Sequence, residues 1–239
     1  MIEFNKTAIG FKSTPLVLID SLKLDKGQLY ILIGKNGSGK STLLNAIVGI
    51  QDLLSGSILI DKKNIQSVSR RVLSKKISLV KPTFPQTDYL TVREFISLGR
   101  SPYTNALGRL RKTDNDIISK SLEILNITSL GNKFTSELSD GERQLVSIAK
   151  AIAQDTSVIL LDEPTAFLDY SNKLLLHQTL KRIAKETNKC IILSSHDLEL
   201  SIDTACDFLA INTKTSELTT LNSPVSKQDL LDIAFDSKI

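Results

Sequence analysis

Apolar residues in this chain follow two rhythms. Short unbroken runs, bounded by Gly and charged residues, predict buried strands over 28–33, 57–60, 76–80, 158–162, 189–194 and 207–212. Stretches with apolar residues three and four apart predict helices over 40–49, 92–98, 114–125, 141–153, 172–187 and 198–205. Their alternation predicts an α/β fold with a mainly parallel sheet. From about Pro82 to Asp155 the strand pattern disappears, which predicts a helical lobe (82–155) inserted into a core made of 1–81 and 156–239. No long-period repeat or low-complexity linker divides the 239 residues, so a single two-lobed domain is expected. A last helical pattern over 226–235 lies in a tail too short to fold alone.

Composition narrows the class only a little. The chain is 41% hydrophobic and 23% charged, ordinary for a globular protein with a sizeable core. Its net charge of +4 is spread without a basic block, so charge alone does not point to nucleic acid. The start, Met1-Ile2-Glu3-Phe4-Asn5-Lys6, lacks the apolar stretch of a secretory signal, and no apolar run approaches the roughly 20 residues of a bilayer-spanning helix. Cys190 and Cys206 sit among apolar neighbours with no metal or redox spacing, which predicts buried reduced thiols and a cytoplasmic protein.

The chemistry begins at Gly34-Lys35-Asn36-Gly37-Ser38-Gly39-Lys40-Ser41, which fits G-x-x-x-x-G-K-S/T between a predicted strand and a predicted helix. Such a loop turns backbone N–H groups toward phosphate at the positive end of a helix, where a plain Gly-rich turn is the alternative. In this reading Lys40 neutralises β- and γ-phosphate charge, Ser41 ligates Mg²⁺ and Thr42 lies near the α-phosphate. The run Val158-Ile159-Leu160-Leu161 delivers Asp162 and Glu163 to a strand's carboxyl end. Asp162 is the candidate to hold Mg²⁺ through a water and Glu163 the candidate general base, against a structural helix-cap role for the pair. His196 follows another strand end and is a ligand-contact candidate, whereas His177, inside a helical pattern, is expected to be solvated or packed. Ser139-Asp140-Gly141-Glu142 reads equally as a helix capping box or as an anion site, and local physics leaves both open.

Together with Leu138 before that segment, Leu160-Leu161-Asp162-Glu163-Pro164-Thr165 and Ser195-His196-Asp197, these motifs resemble the ordered set of ABC ATPases across nearly the whole chain. The resemblance implies a P-loop NTPase core, an N-terminal antiparallel β portion and a helical subdomain between the Q-loop and the signature motif. It implies ATP and Mg²⁺ as cofactors, with Asn36, Gly37, Ser38 and Gly39 completing the phosphate site. It also implies a head-to-tail homodimer in which Ser139 and Gly141 bind the γ-phosphate held by the other protomer and Asp169 couples the two sites. Phe11 falls where the family stacks an aromatic ring on adenine, with core packing as its other reading.

A narrower resemblance, to ATPases of iron-siderophore, haem and cobalamin importers, runs through Leu90-Thr91-Val92-Arg93-Glu94, Gly99-Arg100-Ser101-Pro102-Tyr103, Leu107-Gly108-Arg109 and Ala153-Gln154-Asp155. It implies hydrolysis coupled to integral membrane permease subunits, an indirect link to a substrate-binding protein, a peripheral place on the cytoplasmic face of the membrane, and no nucleic-acid partner. Arg93, Arg100 and Arg109 are candidate docking contacts on the lobe. Two other readings stand beside this one: a soluble ABC ATPase remodelling nucleic acid or ribosomes, and an ATP-binding regulatory subunit with weak hydrolysis. The family's Q-loop Gln is replaced by Pro82, for which Gln86 is a candidate substitute, and Asp140 and Glu142 stand where the signature usually has Gly and Gln. Asp140 is expected to point to solvent, away from phosphate.

Overall fold

Leu29, Ile31 and Ile33 face one buried layer while Tyr30 and Leu32 face the opposite one, so this strand is apolar on both sides. The same division holds along 158–161 and 190–193, which explains why these runs are continuous rather than alternating. A computed structural model describes residues 1–85, 89–105 and 107–235. In chain order, β1 (Ile2–Phe11) and β2 (Thr14–Leu24) form a hairpin, and β3 (Leu29–Ile33) leads into α1 (Lys40–Ile47). β4 (Leu53–Ile60), β5 (Lys63–Asn64), α2 (Arg70–Leu73) and β6 (Ile77–Val80) follow. Then come α3 (Val92–Ser97), α4 (Lys112–Ile124), α5 (Asp140–Ala153), β7 (Val158–Leu161), α6 (Tyr170–Thr187) and β8 (Cys190–Ser194). α7 (Leu198–Asp203), β9 (Asp207–Ile211), β10 (Leu218–Leu221) and α8 (Lys227–Ala234) close the described chain.

Among the described residues the strands form two sheets. One has the order β10-β9-β3-β8-β7-β6, parallel except for the edge strand β10. The other is antiparallel, β2-β1-β4-β5, and encloses the second apolar layer together with α1. The N-terminal antiparallel portion is therefore present, although the apolar pattern alone predicted strand only over the last part of β4. In β1 the register shifts between Asn5 and Ala8, with Lys6 at φ 44°, so the buried set passes from Ile2 and Phe4 to Thr7 and Ile9 and the alternation breaks. Cys190 and Cys206 are buried free thiols, and burial pushes Cys190 up to about 12. No helix among the described residues is long and apolar enough to cross a membrane.

Between β6 and β7 the described residues hold helices and 3₁₀ turns but no strand, and α3, α4 and α5 pack on one another. Their fastening is the Gly99–Tyr103 segment. Gly99 presses against α5 so closely that an added Cβ would lie 2.4 Å from the Lys150 carbonyl. Arg100, only 6% exposed, donates from Nε to Asp114 Oδ1 at 2.9 Å and from Nη1 to the Ala153 carbonyl at 2.8 Å. Its guanidinium carbon lies 4.2 Å from the Tyr103 ring centroid. The Asp114 carboxyl also accepts from the Arg111 amide, and that bond, with help from Arg100, holds its pKa below the ordinary value. Arg100 is thus not a surface docking contact: its charge is engaged inside the lobe. Arg93 likewise bonds Ser119 Oγ at 3.1 Å, while Arg109 is exposed.

Truncating Arg100 would strand a buried carboxylate. Arg100→Ala is expected to destabilise the chain by about 3–5 kcal/mol, read as a lowered denaturant midpoint. A loss below about 1 kcal/mol, the scale of an exposed pair, would show the bridge to be incidental.

Candidate functional site

In the parallel sheet β8 lies between β3 and β7, so the loops that leave these three strands emerge side by side at one edge. The loop after β3 carries Gly34 to Gly39, the turn after β7 carries Asp162 and Glu163, and the turn after β8 carries His196. Gly39 has φ 102°, and a Cβ there would stand 2.9 Å from Val17 Cγ2 of β2, so the loop passes where only glycine fits. α1 then starts with no side-chain cap and no acidic residue in its first turn, which leaves the positive helix end open toward the loop. Asn36 and Gly37 are exposed on the loop, Ser41 is exposed and Thr42 half-buried at the start of α1.

Lys40 is only 5% exposed, and its Nζ donates to the Gly34 carbonyl at 2.8 Å and the Lys35 carbonyl at 3.1 Å. Burial lowers its pKa, an effect opposed by the carboxylates of Glu163 and Asp162. Ser38 Oγ is buried with no hydrogen-bond partner among the described residues, a polar atom suited to an anion ligand. Among the described residues no cluster of three or more His, Cys, Asp or Glu could hold a metal by itself. One buried carboxylate and one hydroxyl beside a phosphate loop fit Mg²⁺, whose coordination is commonly completed by substrate phosphates and water.

Asp162 is buried, and its amide donates to the Val80 carbonyl of β6 at 2.9 Å. Glu163 has left-handed backbone at φ 48°, uncommon for a residue with a side chain. Oε1 of Glu163 and Nε2 of His196 are 2.5 Å apart. A further residue joins them: Ser194 Oγ donates to Asp162 Oδ1 at 2.9 Å and accepts from the Glu163 amide at 2.8 Å. Ser194 is not among the residues expected from sequence, where its only signal is a hydroxyl on the last residue of an apolar strand.

The other candidates lie on separate elements. Phe11 ends β1 and is 56% exposed, which removes the core-packing reading. Ser139 caps α5 in a full capping box with Glu142: the Ser139 amide and hydroxyl both donate to Glu142 Oε2, and the Glu142 amide donates to Ser139 Oγ. Gly141 lies under the loop after β7, where a Cβ would stand 3.3 Å from the Phe167 carbonyl. Asp140 is exposed and pairs with Arg143 at 3.3 Å, pointing to solvent as expected. Asp169 caps α6, accepting from the Asn172 amide at 2.8 Å. Pro82 follows β6 with no amide donor to offer, and Gln86 lies outside the described residues. Phe84 stacks on Phe95 of α3 with centroids 4.7 Å apart, and Lys150 Nζ lies 5.0 Å from the Phe95 centroid.

His177, on α6, is packed rather than solvated. It is fully buried, and neither ring nitrogen has a partner among the described residues. Burial pushes its pKa down to about 4, partly opposed by Asp197 and reinforced by Lys173.

A family model described as ABC transporter matches residues 19–166. The iron(3+)-hydroxamate import ATP-binding protein FhuC of Bacillus subtilis (strain 168) is 36% identical over 190 residues, covering 80% of this chain and 71% of FhuC. A solved structure assigned to the metal-chelate type of ABC transporter, in an inward-facing conformation, has a TM-score of 0.82 at 26% identity and covers 98% of this chain and 88% of that one. A dimeric ATP-binding cassette in a post-hydrolysis state with ADP and Pi has a TM-score of 0.78 at 24% identity, covering 95% and 100%, a likeness of fold.

Because His177 binds its proton less readily folded than unfolded, its contribution to stability is complete above the ordinary value of 6.5 and declines as pH falls toward about 4. The full loss is roughly 3 kcal/mol. Unfolding free energies of the wild type and His177→Leu, measured across this window, are expected to fall less steeply with acid in the variant. Parallel curves would rule the residue out as a source of acid sensitivity.

Proposed function

This chain belongs to the ABC transporter family as an ATP-binding, ATP-hydrolysing subunit, and from that premise we propose that it powers import of an iron(III)-chelate type of substrate through membrane permease subunits. The observation that carries the ATPase part is the convergence of the Gly34–Ser41 loop, Asp162, Glu163 and His196 on neighbouring strand ends. The substrate class is supported by the FhuC relative and the metal-chelate neighbour, both of which also weigh against a soluble remodelling role.

In this reading the amides of Asn36, Gly37, Ser38 and Gly39 cradle the β- and γ-phosphates, and Lys40 leaves its loop carbonyls to pair with them. Lys40 has already given up most of its hydration on folding, so little of that cost recurs on binding. Thr42 lies toward the α-phosphate and Phe11 offers its exposed ring to the adenine. Ser41, directly, and Asp162, through a water, would hold Mg²⁺, which when bound neutralises charge on the transferring phosphoryl oxygens. Glu163 takes a proton from the attacking water, and His196 holds the Glu163 carboxylate in place.

The site is completed by a second copy. Ser139 and Gly141 at the capped start of α5 would meet the γ-phosphate held by the partner protomer, with Asp169 beside the shared boundary. Support comes from the dimeric cassette of like fold. The lobe, 82–155, would dock the permease at the cytoplasmic face of the membrane, the permease receiving its substrate from a binding protein.

Glu163→Gln is expected to lower Mg²⁺-dependent phosphate release by at least about 100-fold and to accumulate an ATP-bound dimer seen by light scattering. Hydrolysis at the wild-type rate would remove Glu163 as the base. For the substrate, vesicles holding this chain and its permease are expected to take up a radiolabelled ferric hydroxamate in an ATP-dependent way. Uptake of haem or cobalamin in its place would reassign the cargo.

A further inference from the structure

Ser194, the last residue of β8, is fully buried between the two carboxylate-bearing residues at the sheet edge. A serine hydroxyl has one proton to give and two lone pairs to accept with. The Glu163 amide donates to Oγ at 2.8 Å, so the single hydroxyl proton is directed to Asp162 Oδ1 at 2.9 Å. Neighbouring amides on a strand point to opposite sides. That of Asp162 meets Val80 of β6, and that of Glu163 turns toward β8, where its acceptor is a side-chain oxygen instead of a ladder carbonyl.

The bond arrives where the backbone leaves the strand conformation. Glu163 is at φ 48°, and its carboxylate meets His196, which stands two residues beyond Ser194 on the same strand end. One hydroxyl thereby touches the side chain of Asp162 and the main chain of Glu163, while His196 is tied to the same strand. We propose that Ser194 is a positioning residue for hydrolysis, holding the carboxylate that faces the metal and the carboxylate that faces the attacking water in one relative setting. The inference rests on the roles given above to Asp162 and Glu163.

Ser194→Ala, Ser194→Thr and Glu163→Gln in the full chain test it. Ser194→Ala is expected to lose about 10- to 100-fold in kcat and a comparable factor in Mn²⁺ affinity, followed by electron paramagnetic resonance with a non-hydrolysable ATP analogue. Its affinity for ATP without metal should be unchanged, because the Gly34–Ser41 loop is intact. Ser194→Thr keeps the hydroxyl and should recover most of both losses. Wild-type kcat and Mn²⁺ affinity in Ser194→Ala overturn the inference, as does a loss of metal-free ATP affinity equal to the loss in kcat. If the alanine variant fails to fold, Ser194→Cys, with a weaker donor and acceptor of similar size, replaces it under the same readouts. If Glu163→Gln is inactive while Ser194→Ala is unimpaired, only the Ser194 role falls; if Glu163→Gln hydrolyses like the wild type, both readings fall.

Discussion

Parallel pairing of β3, β8 and β7, with both faces of each strand buried, is the constraint on which the rest of the structure depends. Leu29 pairs with Ile191, and Ile191 with Ile159, so three strand ends reach the same edge together. A slip of one residue would exchange Leu29, Ile31 and Ile33 with Tyr30 and Leu32 between the two layers and break the close packing of both. Burial on two sides therefore sets the register, and register in turn sets the spacing between the phosphate loop, the two carboxylates and the histidine.

At that edge the local energetics run against the core behind it. A lysine is buried on its own loop carbonyls, a glutamate stands in left-handed backbone, and Ser38 Oγ has no bonding partner among the described residues. The left-handed backbone and the unpaired hydroxyl each cost about 1–3 kcal/mol that regular structure would avoid. Their concentration in the loops after β3 and β7, beside strands whose side chains are almost wholly excluded from water, is the distribution expected where binding, rather than folding, supplies the missing partners.

The placement of the Gly34–Ser41 loop, the Asp162-Glu163 pair and His196 at strand ends was legible, because each follows an unbroken apolar run. The parallel sheet was legible for a related reason, since unbroken apolar runs record burial on two faces. Less was readable where one face meets water or the strand is irregular. The shift near Lys6 hid β1, and the short edge strand β10, with Thr219 and Thr220 at its centre, carries little apolar signal. Ser194 could not be found from residue type alone, because a hydroxyl reports nothing until its two partners are seen. Arg100 was misread as a surface group for the opposite reason: its charge suggests solvent, and only the position of Asp114, fourteen residues away, brings it inside.

The Gly99–Tyr103 segment is among the most recognisable strings in the chain, yet its arginine and glycine point inward. What it carries is the bracing of the lobe, since Gly99 meets α5 and Arg100 meets Asp114 of α4. Beside it Leu98 and Leu107 are exposed, as is Ser101 within it. A lobe braced from within leaves its outer side chains free to change without loosening the frame, because the Arg100 bonds do not pass through them.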